Sequence, residues 1–292
     1  MNAYIQSFRP RTLPLSVAGI LTGGGMALNC IIADGGSFSS RQWIVFALAI
    51  LTTLSLQILA NIANEIGDMQ HGTDAEQHAR QQYGLQSGEI SLQQMFRFVW
   101  LFVGLSAAFG LALVWTSFQT LWLTDSIFML ALGACAIVGA LTYTMGKHAY
   151  GYHALGDAGV FIFFGLVSVM GSYFLLLHTM TWHIAAMAAL LALPIVGVIN
   201  LNNIRDEDND KKHGKHTVAS MLGRKGARLY HACLLIGSLI GFILLKHYYV
   251  LIILPIWIWH IIQICKHEGK ELDKQMPVLS FSTLALSILC VL

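Results

Sequence analysis

The chain has 292 residues, 56% hydrophobic and only 11% charged. Soluble domains carry about 25% charged residues, and disorder needs low hydrophobicity with high net charge, so neither a water-soluble globule nor a disordered chain fits. A net charge of +2 is too small for nucleic-acid binding by electrostatics. The mean hydropathy of +0.64 indicates an integral membrane protein.

Runs free of Asp, Glu, Lys and Arg mark the spans, because a spanning helix needs about 20 apolar residues. Residues 12–33 form the first and 42–64 the second. Ser91-Leu92-Gln93-Gln94 has capping-box spacing and starts the third, whose charge-free run is 98–124. Residues 126–146 make the fourth. The run 158–204 is long enough for two spans, with the polar cluster His178, Thr179, Thr181 and His183 at the turn between them. Residues 229–245, 247–265 and 275–292 complete nine helices. The expected fold is all-α: one polytopic domain, 1–292, of nine transmembrane helices.

With the N-terminus in the cytoplasm, 15 of the 17 Lys and Arg lie on the cytoplasmic side, and only Arg41 and Lys246 lie outside. Cytoplasmic loops carry this excess, and an even number of spans would scramble it. Two long cytoplasmic loops, about 67–96 and 205–227, are expected to carry the site. No cleavable signal peptide is expected, because the first apolar stretch is too long for one. Cys30, Cys135, Cys233, Cys265 and Cys290 are scattered through apolar runs without a C-x-x-C pair, so neither a disulfide framework nor a zinc site is indicated.

The second span ends in Asn64-Glu65-Ile66-Gly67-Asp68 and the sixth in Asn202-Asn203-Ile204-Arg205-Asp206, with Asp74 and Asp210 following. Both ends contain Asn-x-x-x-Asp. Residues four apart share a helical face, about 6 Å apart along the axis. Asn64 and Asp68 therefore point together, as do Asn202, Asp206 and Asp210 if the helix continues. One such motif reads as a cap or a solvated terminus. Two copies entering the same compartment read as a shared site. Asp68, Asp74, Asp206 and Asp210 brought together would repel, and Mg²⁺ resolves this by binding carboxylates together with substrate phosphates. Arg9, Arg11, Lys147, Arg205, Lys211, Lys212 and Lys215 lie on the same side and could meet a diphosphate. His213 and His216 lack further ligands for zinc. P-loop, G-x-S-x-G and H-E-x-x-H motifs do not occur, which disfavours ATP use and hydrolase chemistry. A cation transporter is the non-enzyme alternative, and it would place its carboxylates near the bilayer midplane.

The paired motifs resemble those of the UbiA superfamily of intramembrane aromatic prenyltransferases. Further runs are similar to its 1,4-dihydroxy-2-naphthoate polyprenyltransferase (MenA-like) family: Arg9-Pro10-Arg11-Thr12-Leu13-Pro14, Gly72-Thr73-Asp74, Tyr143-Thr144 with Tyr152, Leu155-Gly156-Asp157, the run from Val160 to Val167, Gly171-Ser172-Tyr173, and Gly214-Lys215 with Thr217. The likeness covers residues 9 to about 225. Glu65 stands where that family usually has Asp, and His71 replaces a common Lys or Arg. Lys147 is closer to the 4-hydroxybenzoate branch.

The resemblance implies a UbiA-type bundle with cytoplasmic cap loops, in the bacterial cytoplasmic (inner) membrane. It implies transfer of a polyprenyl group from an all-trans polyprenyl diphosphate to 1,4-dihydroxy-2-naphthoate. Diphosphate and CO₂ are lost, giving demethylmenaquinone. An acceptor such as 4-hydroxybenzoate or homogentisate is the alternative. Two Mg²⁺ ions would be held by Asn64, Asp68, Asp74, Asn202, Asp206 and Asp210. Arg11, Lys147, Arg205 and Lys215 would meet the diphosphate. Tyr143 and Asp157 would bind the acceptor or handle its protons, although Asp157 also reads as a helix cap. Membrane lipid is the remaining partner.

Overall fold

A chain in lipid must satisfy its backbone hydrogen bonds internally, which a helix does within one segment. The charge-free runs are helical in the computed structural model, which describes residues 3–73 and 82–292. The helices are α1 Leu13–Ala33, α2 Ser40–Gln70, α3 Leu92–Phe118, α4 Thr124–Thr142 and α5 Gly156–Leu177. They continue as α6 Trp182–Lys212, α7 Val218–Leu244, α8 Leu254–Lys266 and α9 Gln275–Leu289. A 3₁₀ turn, Tyr248–Ile253, leads into α8. Among the described residues there is no strand, only an isolated bridge between His153 and His216.

Local chemistry sets the boundaries. Ser39 with Gln42, and Ser91 with Gln94, form reciprocal capping boxes at the starts of α2 and α3. The turn expected between the fifth and sixth spans is present. α5 stops at His178, whose φ of 56° is left-handed, and Thr181 caps α6 through the Ile184 N–H. Among the described residues, eight segments are long and apolar enough to cross a membrane, α8 taken with its 3₁₀ lead-in. The ninth, α9, has 15 residues. That is about 22 Å at 1.5 Å per residue, short of a hydrocarbon core of about 30 Å.

The two long loops need correction. α2 runs on to Gln70 and α6 to Lys212, so most of 205–227 is helix and only 213–217 separates α6 from α7. The charged residues do not end α6, because Lys211 pairs with Glu207 one turn back and supports the helix beyond the apolar span. At the first loop, α2 reaches Gln70 and α3 starts at Leu92.

Two cores flank a cavity. The larger joins α1, α5, α6, α7 and α9 around Leu191, Ile195, Leu235 and Leu279. The smaller joins α2, α3 and the N-terminal segment around Ile62, Ile66, Met95 and Phe102. Between them lies a cavity of about 560 Å³ lined by α2, α3, α4, α5 and α6. Phe161–Val167 of α5 forms a π-helix, and Phe163, Phe164 and Val167 from it line the cavity. Such π segments often mark functional sites.

Candidate active site

The Asn64–Asp68 spacing on α2 does what helical geometry requires. With the Asn64 amide oriented to suit both neighbours, its nitrogen donates to Asp68 Oδ2 at 3.3 Å and its oxygen accepts from Arg9 Nη1 at 2.8 Å. A connecting segment packs onto this helix tip. Gly67 sits so close to it that a Cβ would lie 2.4 Å from the Thr144 carbonyl, and Thr144 Oγ1 donates to the Ala63 carbonyl at 3.1 Å. The same segment brings Tyr152, which donates to Asp68 Oδ1 at 3.0 Å and meets Thr73 Oγ1 at 3.1 Å. Burial, followed by the Asp68 charge, pushes the Tyr152 phenol well above its ordinary pKa, so it stays a donor. Glu65 faces elsewhere: it is fully buried, and its carboxylate accepts from the Leu85 N–H at 2.6 Å. It ties down the 82–90 segment rather than joining the site.

The second tip is built from ions. α6 continues through Asp210, so Asn202, Asp206 and Asp210 share one helix. Arg205 grips Asp206 through Nε at 2.8 Å and Nη2 at 2.6 Å, and reaches Asp273 Oδ1 at 2.6 Å. The other Asp273 oxygen takes Arg11 Nη1 at 2.7 Å, and Arg11 Nη2 donates to Tyr83 at 3.1 Å. Asp210 is almost fully buried, with Oδ2 unpartnered, while Lys215 Nζ stands 3.6 Å from Oδ1. Burial alone would lower the Lys215 pKa. The Asp210 and Asp68 carboxylates outweigh it and raise the value, so the ammonium stays charged.

The tips meet. Asn209 Nδ2 donates to the Thr73 carbonyl at 2.7 Å, and Lys215 lies 5.2 Å above the Tyr152 ring. The polar end of the cavity carries Arg9, Asn64, Asn202, Tyr143 and Tyr150, and its remaining walls are chiefly apolar. Arg9 Nε and Nη2 are buried there without partners. Burial pushes the Tyr150 phenol up to about 12, and its hydroxyl donates to the Gly139 carbonyl at 3.1 Å.

The expected residues therefore separate into groups. Asn64, Asp68, Asp206, Asp210 and Lys215 converge, and Asn202 and Tyr143 line the adjoining cavity. Arg11 and Arg205 are engaged by carboxylates, and Lys147 is exposed. Asp157 accepts from Tyr230 Oη at 3.1 Å and lies in the first turn of α5, where the helix dipole favours a carboxylate, although the N-cap position itself is Leu155, without a side-chain cap. Asp74 lies outside the described residues. Among the described residues, no three His, Cys, Asp or Glu side chains gather closely enough to hold a metal alone. Asp273 and Tyr152 carry roles that spacing does not announce. Asp273 is 262 positions from Arg11, and Tyr152 is an aromatic among many.

Residues 17–284 match the UbiA prenyltransferase family. The chain belongs to this family. It is 41% identical over 239 residues to the 1,4-dihydroxy-2-naphthoate octaprenyltransferase of Escherichia coli (strain K12), covering 82% of this chain and 74% of that one. It is 34% identical to the Haemophilus influenzae enzyme of the same name, over 99% of this chain and 94% of the relative. The fold is similar to a solved UbiA homolog from Archaeoglobus fulgidus bound to DMAPP and Mg²⁺, with a TM-score of 0.60, 16% identity and 99% of each chain covered.

Proposed function

We propose that this UbiA-family protein transfers a polyprenyl group from an all-trans polyprenyl diphosphate to 1,4-dihydroxy-2-naphthoate. CO₂ and diphosphate are released, and the product is the demethylmenaquinone skeleton. One observation carries the reading: the two helix ends that bring Asp68, Asp206 and Asp210 together line, through Asn64 and Asn202, the polar end of a cavity whose remaining walls are chiefly apolar. A long isoprenoid with a diphosphate head needs both halves at once. The relatives named as naphthoate octaprenyltransferases supply the acceptor.

The donor set fits Mg²⁺, because every side-chain ligand on offer is a hard oxygen and Asp210 Oδ2 is buried without a partner. Asp68, Asp206 and Asp210, with Asn64 and Asn202 beside them, would hold two ions, the diphosphate oxygens completing the coordination that the side chains leave open. Bound there, Mg²⁺ neutralises charge that develops on the departing diphosphate.

The chain's own groups do the rest. Arg9 offers its unpartnered Nε and Nη2 to the diphosphate at the cavity mouth. Lys215 adds a fixed positive charge beside Asp210. Tyr152 and Asn64 hold Asp68 in place. The C–O bond breaks with its electron pair leaving on the diphosphate. The allylic carbon is then attacked by the electron-rich ring carbon, and the acceptor's carboxyl departs as CO₂. Apolar walls, including Phe163 and Phe164, exclude the water that would quench the cation. Tyr143, which lines the cavity, and Asp157 would bind the acceptor or handle its protons. By the positive-inside rule the site faces the cytoplasm of a bacterial inner membrane.

Purified protein with dihydroxynaphthoate, a polyprenyl diphosphate and Mg²⁺ should yield the prenylated, decarboxylated product by mass spectrometry, and EDTA should abolish it. A product from 4-hydroxybenzoate in place of dihydroxynaphthoate would reject the acceptor assignment.

A further inference from the structure

Deeper than its mouth, the cavity carries a second polar patch for which an isoprenoid tail has no use. Gln57 and Asn61 lie on α2 before Asn64, and Gln57 is about 10 Å further along the helix axis. Gln57 is 7% exposed and lines the cavity. Its Nε2 makes long contacts to Thr12 Oγ1 at 3.4 Å and Asn61 Oδ1 at 3.5 Å. Asn61 Nδ2 is occupied in turn by the Phe8 carbonyl at 2.8 Å. These contacts orient the Gln57 amide. Its Oε1 is left buried, with no hydrogen-bond partner.

Ser106 repeats the pattern from the neighbouring helix, α3. It is 3% exposed, lines the same cavity, and its Oγ also lacks a partner. α2 and α3 run antiparallel, and a Cβ at Gly110 would lie 3.9 Å from Thr52 Cγ2. Four residues along each helix bring Ser106 level with residues 56 and 57. Two orphaned polar atoms thus stand at one depth in a chiefly apolar cavity, whose wall also carries Ser168 Oγ without a partner, and an unmet hydrogen bond there is costly.

The chemistry of the missing partner is constrained. Gln57 Oε1 only accepts, so it repels phosphate and carboxylate oxygens and needs a donor. A prenyl chain has none. A ring hydroxyl on the aromatic acceptor is a donor of suitable size for this depth. We propose that Gln57 and Ser106 form the subsite that holds one ring hydroxyl of the aromatic acceptor, Gln57 Oε1 accepting from it and Ser106 Oγ completing its hydrogen bonding. This rests on the reading of the protein as a prenyltransferase acting on a dihydroxylated naphthoate. The subsite points one hydroxyl into the bundle, which leaves the other end of the ring directed at the mouth where the diphosphate departs.

The test compares 1,4-dihydroxy-2-naphthoate with its 1-O-methyl and 4-O-methyl ethers in wild type, Gln57→Met and Ser106→Ala. In wild type, one ether should show a KM about tenfold above the parent, the cost of one lost hydrogen bond. Gln57→Met should raise the parent KM about tenfold, erase that ether's penalty and leave the prenyl diphosphate KM within about twofold. Ser106→Ala should shrink the same penalty. The subsite is overturned by an unchanged acceptor KM in Gln57→Met, as expected if water alone fills the patch. It is equally overturned by an ether penalty that persists in that variant, or by a rise confined to the prenyl diphosphate KM. If Gln57→Met does not fold, the wild-type and Ser106→Ala comparison decides, and absence of any ether penalty rejects the proposal. Failure of wild type to prenylate the naphthoate would reject the functional reading and the subsite together. Product without an ether penalty would reject the subsite alone.

Discussion

The two Asn-x-x-x-Asp tips share a spacing but solve the problem of a carboxylate at a membrane face differently. Asp68 is held by a phenol and an amide, Tyr152 and Asn64. Asp206 is clamped by a guanidinium, and that guanidinium is itself anchored by Asp273. Neutral donors orient a carboxylate while leaving its charge in place, whereas a bidentate arginine cancels it. If Mg²⁺ binds as proposed, the Arg205–Asp206 pair would have to open, whereas Asp210 Oδ2 on the same helix already lacks a partner. Asp273 holds Arg205 and Arg11 together, which ties the N-terminal segment to the same point.

The sharpest way to break this comparison is to remove each carboxylate. Asp68→Ala and Asp206→Ala should each lower kcat about 10²- to 10³-fold, since both act on the charge of the leaving group. Folded yield should stay near wild type, measured by size-exclusion chromatography in detergent. Loss of activity in only one variant would mean that the tips do not share a single diphosphate.

Asp273→Asn should act on stability as well as activity. It removes the shared counter-charge of two arginines, one of them buried, and breaking such a pair costs about 3 kcal/mol. The expected result is a lowered Tm together with a higher KM for the prenyl diphosphate. An unchanged Tm would show that Asp206 and Tyr83 alone hold the arginines. Tyr152→Phe should be milder, about tenfold in kcat, the scale of one hydrogen bond to a charged group. A rise in the Mg²⁺ concentration needed for half-maximal rate should accompany it. If the Mg²⁺ dependence stays where it was, Tyr152 does not orient a metal ligand.

Much of this architecture follows from residue patterns that act locally. Charge-free runs become helices because lipid permits little else, Ser91 and Gln94 cap α3, and the His178–His183 cluster turns the chain. The paired acidic motifs are legible because four-residue spacing is a property of one helix. What escapes the sequence depends on residues far apart. Asp273 sits in a stretch that reads only as the edge of an apolar span, and its partners Arg11 and Arg205 come from two other helices. Glu65 carries the right charge in the right motif, yet one residue of helical rotation turns it away to the Leu85 amide. Gln57 is hidden for another reason. It is uncharged, so it passes unnoticed within the second span, and only the packing of α3 against α2 shows that its oxygen is left open.

Lys147 gives the smallest expected effect and tests how far sequence likeness should be trusted over geometry. The family resemblance implies that it meets the diphosphate. The backbone separates it from Tyr143. Tyr143 lines the cavity, whereas Lys147, just after the left-handed Gly146, is exposed. An exposed ammonium is screened by solvent and contributes little to a charge held inside the protein. Lys147→Ala should therefore change kcat/KM by less than about twofold at 0.15 M salt. Lys215→Ala, which removes the ammonium beside Asp210, should cost far more in the same assay. A large loss in Lys147→Ala would mean that the 143–152 segment closes over the diphosphate when substrate binds. That outcome would put the exposed lysine, rather than the buried one, at the centre of donor recognition.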